Sequence, residues 1–475
     1  MLESKRSSMS FLQIILIFVV FAFALTAVLT IYKIGGIYWD FIAEILYAKS
    51  LLTSKFYFAF FSGNLNSVIS YGNSFYFEVL RPPLIGIIMV PFMAIGTSTG
   101  VPIYLTFVLL FLLASCFYLS KRVQLSPLLM ALLFFTPYVL FYFVMLNGAE
   151  IITMCFLLVF IGLVIERRWE AGIVLALAGL AKYDSLIFLL LLAVLPPKVR
   201  NKALAAFGIT TLPWLIFNTV AFHNPIWSYI LSIHSFSAGA QGLFSLSVIS
   251  ASLKLMLPYL IPAFLVFAAA IAISFVCNKK RSIDMKMDYR HKVVFASFGV
   301  GLFGWLLTAI SGSINGLPRE AFLIYIGIAL ILGVLITDLS NVKLRLPFNK
   351  DLYAYLVGAL FVLTVGMLIY AQTTLQTNYV FASYGSTNPI YKNVTNTLAV
   401  DGLGNCNVIS NYWPYLFYFG VKAHSPYYYN STVERYPIVI LYDNSSGFPI
   451  NFMNVTKNLT YNNFTIYFPK NWTCG

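Results

Sequence analysis

Charge is scarce in this sequence. Only 10% of its 475 residues are Asp, Glu, Lys or Arg, while 60% are hydrophobic. A soluble domain carries about 25% charged residues, so an ordinary soluble globule is excluded. Acids are scarcer still: 16 Asp and Glu stand against 30 Lys and Arg, a net charge of +14. The basic residues are spread between apolar stretches, where they set membrane topology, so the charge does not point to nucleic acid. Cysteine is rare, with five residues. Cys116, Cys155 and Cys277 lie in or beside apolar stretches with no metal-ligand spacing. Cys406 and Cys474 lie in the polar tail and predict a disulfide if that tail is exported. No HExxH, paired CxxC or Gly-rich phosphate loop is present, so no nucleotide-sugar site is indicated. There is no internal repeat and no long linker.

What is present is a series of apolar runs of about 20 residues, each long enough to cross a bilayer as a helix. The pattern predicts spans at 11–31, 101–120, 124–146, 150–165, 170–182, 185–196, 203–221, 252–277, 292–310, 321–338 and 352–371. The first run is longer than the apolar core of a signal peptide and reads as a retained span. The fifth and sixth are short and form one hairpin around "AKYDS". The stretch "PLIGIIMVPFMAIGT", 83–97, is short and broken by proline, and reads as an interfacial or re-entrant helix. The fold class expected is an α-helical polytopic membrane protein of about 11 transmembrane helices over 1–371, with a small extracytoplasmic α/β domain over 372–475.

Sidedness follows from the positive-inside rule. The segments 1–10, 121–123, 166–170, 197–202, 278–292 and 339–351 together hold 18 of the 30 Lys and Arg residues. These become the cytoplasmic face, which puts the N terminus inside and, after an odd number of spans, the tail outside. Seven Asn-X-Ser/Thr sequons agree, at Asn393, Asn430, Asn444, Asn454, Asn458, Asn463 and Asn471. Such sequons are glycosylated only on the outer or lumenal face, and all seven lie in the tail. Within it, "NCNVIS" and "YPIVILYD" read as strands, and "NYWPYLFYFG" as a helix.

The short outer segments carry unusual charges: Asp40, Glu44, Glu78, Arg81, Glu150, Lys182, Asp184, Arg319 and Glu320. Several border or interrupt apolar helices, where a charge faces a polar cavity or a partner. Asp40 and Glu44 are four apart and share a helical face. Two close carboxylates suit a general base or a cation site, and a solvated loop would hold them equally. In "EVLRPPL", 78–84, two prolines fix the backbone beside Arg81; a snorkelling arginine at a helix entry fits as well. In "GLAKYDS", 179–185, Lys182 could pair with a phosphate or close a plain outer turn with Asp184. "NGLPRE", 315–320, opens a span with Arg319 and Glu320, either a bidentate phosphate contact or a helix start with an acid on its dipole. His223 in "HNP", 223–225, reads as a turn residue; His234 is also on the outer side.

Taken in order, "YWDFIAE", "RPPL" at 81–84, "GLAKYDS", "NP" at 224–225 and "PRE" at 318–320 resemble the GT-C glycosyltransferases. The resemblance is to the branch that includes the protein O-mannosyltransferases and the aminoarabinose transferase of lipid A, and it covers residues 10–375. The dense sequons and low charge resemble archaeal membrane proteins. The resemblance implies a long first outer loop, 32–100, carrying juxtamembrane helices, and a soluble outer C-terminal domain. It implies as donor a sugar on a polyprenyl phosphate such as dolichyl phosphate, with the lipid tail lying between helices in the membrane, and inversion at the sugar. The family's first-loop aspartate corresponds to Asp40, its phosphate-facing lysine to Lys182 and its Pro-Arg arginine to Arg319. The family's second acid directly follows the first; here Phe41 intervenes and Glu44 is a turn later. Glu320 replaces the aromatic residue usual after the arginine.

In that scheme Asp40 is the base. Lys182, Arg81 and Arg319 face the phosphate, and Glu44, Glu78, Asp184 and Glu320 support them. Some relatives use a divalent cation, for which Asp40, Glu44 and Glu78 could supply oxygen ligands. The expected partners are a polyprenyl-phosphate sugar, membrane lipid and a hydroxyl acceptor of unknown identity. Two other classes fit the apolar chain: a secondary transporter, which would place ionisable residues near the midplane and often show repeats, and a non-catalytic anchor for a glycosylated tail. A ligase using a diphosphate-linked oligosaccharide is a closer rival.

Overall fold

The computed structural model describes residues 10–33, 39–52, 82–145, 148–230, 288–310, 321–341 and 352–375, isolated positions between 254 and 268, and five strands between 408 and 469. Calls on the rest, including "NYWPYLFYFG" and nearly all of the expected span 252–277, lie outside the described residues.

The described helices are α1 (Phe11–Lys33), α2 (Trp39–Leu52), α3 (Leu84–Ala94), α4 (Thr97–Val123), α5 (Pro127–Phe134), α6 (Ala149–Ile165), α7 (Ala171–Ala181), α8 (Pro197–Phe222), α9 (Tyr289–Ile310), α10 (Phe322–Asn341) and α11 (Leu352–Leu375). A π-helix, Val139–Met145, follows α5, and a 3₁₀-helix, Tyr183–Val194, follows α7. Among the described residues three helical stretches are long and apolar enough to cross a membrane: Phe11–Tyr32, Thr97–Val123 and Pro197–Val220. The bent pair of α5 and the π-helix would make a fourth. Large apolar side chains such as Phe18, Ile209 and Val220 point outward along these helices. Such faces suit lipid, which is as apolar as the side chains themselves. The protein is a helical membrane protein by these features.

The chain divides into two compact units. One comprises residues 1–30 and 102–377, the other 31–101 and 378–475. In the first, α6, α7 and the 3₁₀-helix run back and forth against one another, and α9 and α10 pack on them. α6 has 17 residues and rises about 25 Å. The 3₁₀-helix has only 12 residues. As an α-helix these would rise about 18 Å; at the 3₁₀ rise they cover about 24 Å and match α6. Stretching lets a short apolar segment return across the full depth of its neighbours. Its core side is Phe188, Leu191 and Leu192, all buried.

Small residues let these helices approach closely. A Cβ on Gly172 would collide with the Ala203 carbonyl oxygen, so α7 and α8 touch backbone to backbone there. A Cβ on Gly327 would fall 2.5 Å from the Phe298 Cα, which joins α10 to α9 in the same way. The expected single span 124–146 is instead broken. α5 starts at a Ser126 cap whose hydroxyl accepts from the Leu129 N–H, with Pro127 in the first turn. It ends before Thr136-Pro137, where proline has no N–H to continue the ladder. Thr136 bonds the Tyr325 hydroxyl at 2.9 Å, and that hydroxyl donates to the Leu133 carbonyl at 2.7 Å.

In the second unit α2 packs on α3. The Tyr47 ring lies against Gly86, where a Cβ would collide with Cδ1 of the ring. The expected short, proline-broken helix is α3, 11 residues with Pro91 inside. The strands are β1 (Val408–Ser410), β2 (Ala423–His424), β3 (Ile438–Tyr442), β4 (Val455–Tyr461) and β5 (Phe464–Pro469). They form one mixed sheet in the order β2-β1-β3-β5-β4. β1 runs parallel to β2 and β3, and β5 antiparallel to β3 and β4. β1 and β3 fall in the two segments read as strands. Ile466 and Phe468, two apart on β5, are buried on one face.

Candidate active site

The first unit has two unlike ends. At one, the ends of α4, α6, the 3₁₀-helix, α9 and α10 converge through charged and aromatic side chains. Arg122 Nε donates to Glu166 Oε1 at 2.9 Å, and the Tyr118 hydroxyl donates to Oε2 of the same carboxylate at 3.1 Å. Arg290 Nη1 donates to the Val123 carbonyl at 3.0 Å and to Gln124 Oε1 at 2.9 Å. The Tyr289 hydroxyl reaches the carbonyls of Val194 and Val164, at 3.2 and 3.4 Å. His291 bridges α9 to α10: Nδ1 lies 2.7 Å from Asp288 Oδ1 and Nε2 lies 2.7 Å from Asp338 Oδ2. Lys121, Arg167, Arg168, Lys198, Lys202 and Lys292 stand exposed around this network.

At the opposite end one lysine is enclosed. Lys182 ends α7, in extended conformation. The buried Ser185 fixes that corner: its N–H and hydroxyl both donate to the Lys182 carbonyl, at 3.2 and 2.8 Å. The ammonium donates to Glu150 Oε1 at 3.0 Å and lies 3.4 Å from Asp184 Oδ2. It also lies 5.9 Å from the centre of the Phe322 ring. Side-chain exposure is 13% for Lys182, 0% for Glu150 and 34% for Asp184.

Helix ends support both charges of the inner pair. Glu150 is in the first turn of α6, where a negative charge meets the positive end of the dipole; Lys182 follows the last turn of α7, where a cation is favoured. α6 and α7 are antiparallel neighbours, so these two ends meet. Below Phe322 lies an aromatic cluster: Phe143 packs edge-on to Phe322 at 6.2 Å and to Tyr325 at 6.0 Å. Phe143 belongs to the π-helix, a form that recurs at functional sites. Beside Lys182, Tyr183 packs edge-on against Tyr229 at 5.6 Å and accepts from Trp214 Nε1 at 3.0 Å.

Of the residues singled out in the sequence, Lys182 and Asp184 are therefore together. Glu150, noted only as one of several outer charges, is the ammonium's nearer carboxylate. It is 32 residues away in sequence, and only the hairpin brings it close. Asp40 and Glu44 lie one turn apart on α2; the Asp40 side chain is outside the described residues. Glu44 is buried, as are Phe41, Ile45 and Ala48 on the same helix. On the same helix, burial lowers the Lys49 pKa below the ordinary lysine value. Arg81, Glu78, Arg319, Glu320, His234, Cys406 and Cys474 lie outside the described residues, as do the sequons at Asn393, Asn430, Asn444, Asn454, Asn463 and Asn471; Asn458 is on β4. His223 caps α8 in the left-handed region at φ 54°. Asn224 Oδ1 then accepts from the Ile226 N–H at 3.1 Å, so this is a turn. Among the described residues no group of three His, Cys, Asp or Glu is placed to hold a metal ion.

The arrangement can hold an anion on an ammonium at the edge of an apolar, aromatic-floored helical assembly. No protein-family profile, curated protein or solved structure matches this chain.

Proposed function

We propose that this protein is an inverting membrane glycosyltransferase. It moves a sugar from a polyprenyl phosphate, such as dolichyl phosphate, to a hydroxyl of a protein, lipid or glycan on the outer face. One observation carries the reading: the enclosed Lys182–Glu150 pair lies at the end of the helices opposite the cation-rich network. By the positive-inside rule the cation-rich end is cytoplasmic, so Lys182 opens to the outer side, where the tail is also exported.

In this reading the acceptor oxygen attacks the anomeric carbon and Asp40 takes the hydroxyl proton. The bond from that carbon to the phosphate oxygen breaks, and the electron pair leaves with the lipid phosphate, which passes from monoanion to dianion. Lys182, with Arg81 and Arg319, stabilises that growing charge in a site partly shielded from water. Glu44, Glu78 and Glu320 complete the polar shell, and a divalent cation on the first-loop acids would act in the same sense. The dolichyl chain lies against lipid-facing helices.

The test is transfer from a dolichyl-phosphate sugar by purified protein. Asp40→Asn should abolish transfer and keep donor binding; Lys182→Ala should weaken donor binding more than acceptor binding. Wild-type turnover in Asp40→Asn removes the base assignment, and unchanged donor affinity in Lys182→Ala removes the phosphate role.

A further inference from the structure

α8 is the least enclosed of the three helices long and apolar enough to cross a membrane. Its outward residues form a pattern. Lys198, Lys202, Ile209, Leu212, Ile216 and Val220 are all exposed, at spacings of three, four or seven that keep to one helical face. Two cations therefore head an aliphatic stripe. Val220 follows Lys202 by 18 residues (220 − 202), a rise of about 27 Å. The hydrocarbon core of a bilayer is about 30 Å thick. A stripe that ends at Val220 thus leaves Lys202 at the hydrocarbon edge and Lys198, one turn on, level with the head groups. A second marker gives the same depth. α7 and α8 touch at Gly172 and Ala203, and Trp169, three residues before Gly172, is exposed. Indoles collect at the boundary between lipid and water.

The chain itself does not supply the counter-charge. The six segments of the cation-rich face hold 18 Lys and Arg but, with Asp338 added, only seven Asp and Glu, an excess of +11 (18 − 7). However these groups pair, most of the cations keep no carboxylate of their own. Lys198 and Lys202 stand one turn apart and repel each other. Among the described residues neither has an ion pair. Side chains lean toward the N-terminal end of a helix, which here carries both ammoniums away from hydrocarbon and toward the head groups.

We propose that Lys198 and Lys202 bind the phosphate of an anionic phospholipid in the leaflet on the cation-rich side, with an acyl chain lying along Ile209, Leu212 and Ile216. Both parts of the lipid are matched on one helical face: cations where the phosphate lies, aliphatic side chains where the tail lies. The site is at the opposite end of the helices from Lys182 and operates whether or not the protein transfers a sugar.

The test uses full-length protein in mild detergent, with phosphatidylglycerol and phosphatidylcholine as probes and bound lipid counted by native mass spectrometry. The wild type should hold phosphatidylglycerol more tightly than phosphatidylcholine. Lys198→Gln with Lys202→Gln should weaken phosphatidylglycerol roughly 25-fold, about fivefold per lysine, and leave phosphatidylcholine nearly unchanged. Lys198→Arg with Lys202→Arg should keep the preference. The control is Lys121→Gln with Lys292→Gln, which removes the same charge from the ends of α4 and α9 and should lose less. Equal losses in the two glutamine pairs would mean a diffuse field without a site and would overturn the proposal. So would a wild type with no preference, or a preference that survives Lys198→Gln with Lys202→Gln. Displacement of the lipid by an equal concentration of inorganic phosphate, which has no chain, would overturn it as well.

Discussion

The two ends of the helical unit use charge in opposite ways. At the cation-rich end the outermost ion pairs are wet, whereas Arg290 and His291 meet Asp338 in a more enclosed setting. Arg122 and Glu166 are 22% and 31% exposed, and Arg168 and Glu170 more so on average. Each is a rim contact over helices held together below by Tyr289, Arg290 and buried apolar side chains. At the other end the Glu150–Lys182 pair is enclosed among apolar side chains, with the partly exposed Asp184 beside it. Water screens the first kind of pair and leaves it worth about 0–1 kcal/mol. The second has lost its water, so its partners depend on each other. Charge spread over an exposed helix end is what the positive-inside rule counts, whereas charge enclosed in apolar packing needs a polar partner or cavity beside it.

The largest effect should come from splitting the enclosed pair. Lys182→Ala takes the ammonium from the buried Glu150 carboxylate and should cost about 3–5 kcal/mol, read as a drop in unfolding temperature in a mild detergent; Glu150→Ala, which leaves Asp184 beside the ammonium, should cost less. Replacing both, as Glu150→Leu with Lys182→Met, should restore most of that stability, because a matched apolar pair carries no desolvation penalty. The double variant should nonetheless transfer no sugar. Stability restored together with activity would mean that the pair is only structural, and the contrast between the ends would lose its functional meaning.

Much of this contrast can be read from the sequence, for physical reasons. The turn at Lys182 is legible because charged residues interrupt an apolar run too long for one span, and a Lys–Asp contact is a local relation. Glu150 as its nearer partner is not legible, since residues 32 apart meet only once the lengths of α6 and α7 are known. Nor is the 3₁₀ form of "YDSLIFLLLLAV": its last nine residues, 186–194, are all apolar and show no period, and the stretch is imposed by the depth of α6. The break at Thr136-Pro137 is carried by proline and is hidden by the apolar residues around it. β4 and β5 have a local signal, Asn462-Asn463 between two β-rich runs, in a tail whose dense sequons draw attention to glycosylation instead. The pairing Tyr461↔Phe464 is a two-residue hairpin register.

The wet end gives a smaller prediction that sharpens the comparison. Arg122→Gln removes the bond to Glu166 and the contact of the guanidinium, 3.7 Å from the Tyr118 ring centre. It should cost no more than about 1 kcal/mol, and the loss should shrink as salt is added. The Glu150 variants should show little salt dependence, because ions do not reach a buried pair. Equal salt sensitivity at both ends would show that water enters around Lys182, and the distinction between them would fail.

The smallest effect concerns Asp288, at the rim of the same network. Burial pushes its carboxyl up, but the His291 backbone N–H, the His291 ring and the neighbouring Arg290 more than offset this, and its pKa lies below the ordinary value of 3.8. Because the folded value is depressed, Asp288 adds stability that is fully present above the unfolded pKa. That stability is lost as pH falls through the folded value. The window therefore lies below about pH 5 and does not touch neutral pH. Asp288→Asn should unfold slightly more easily than the wild type at pH 7, and the two should converge in acid as the wild-type carboxyl takes up its proton. Parallel curves, with no convergence, would mean that the bridge from Asp288 through His291 to Asp338 does not join α9 to α10. The cation-rich end would then be held by its apolar packing and the Tyr289 and Arg290 bonds to backbone carbonyls alone.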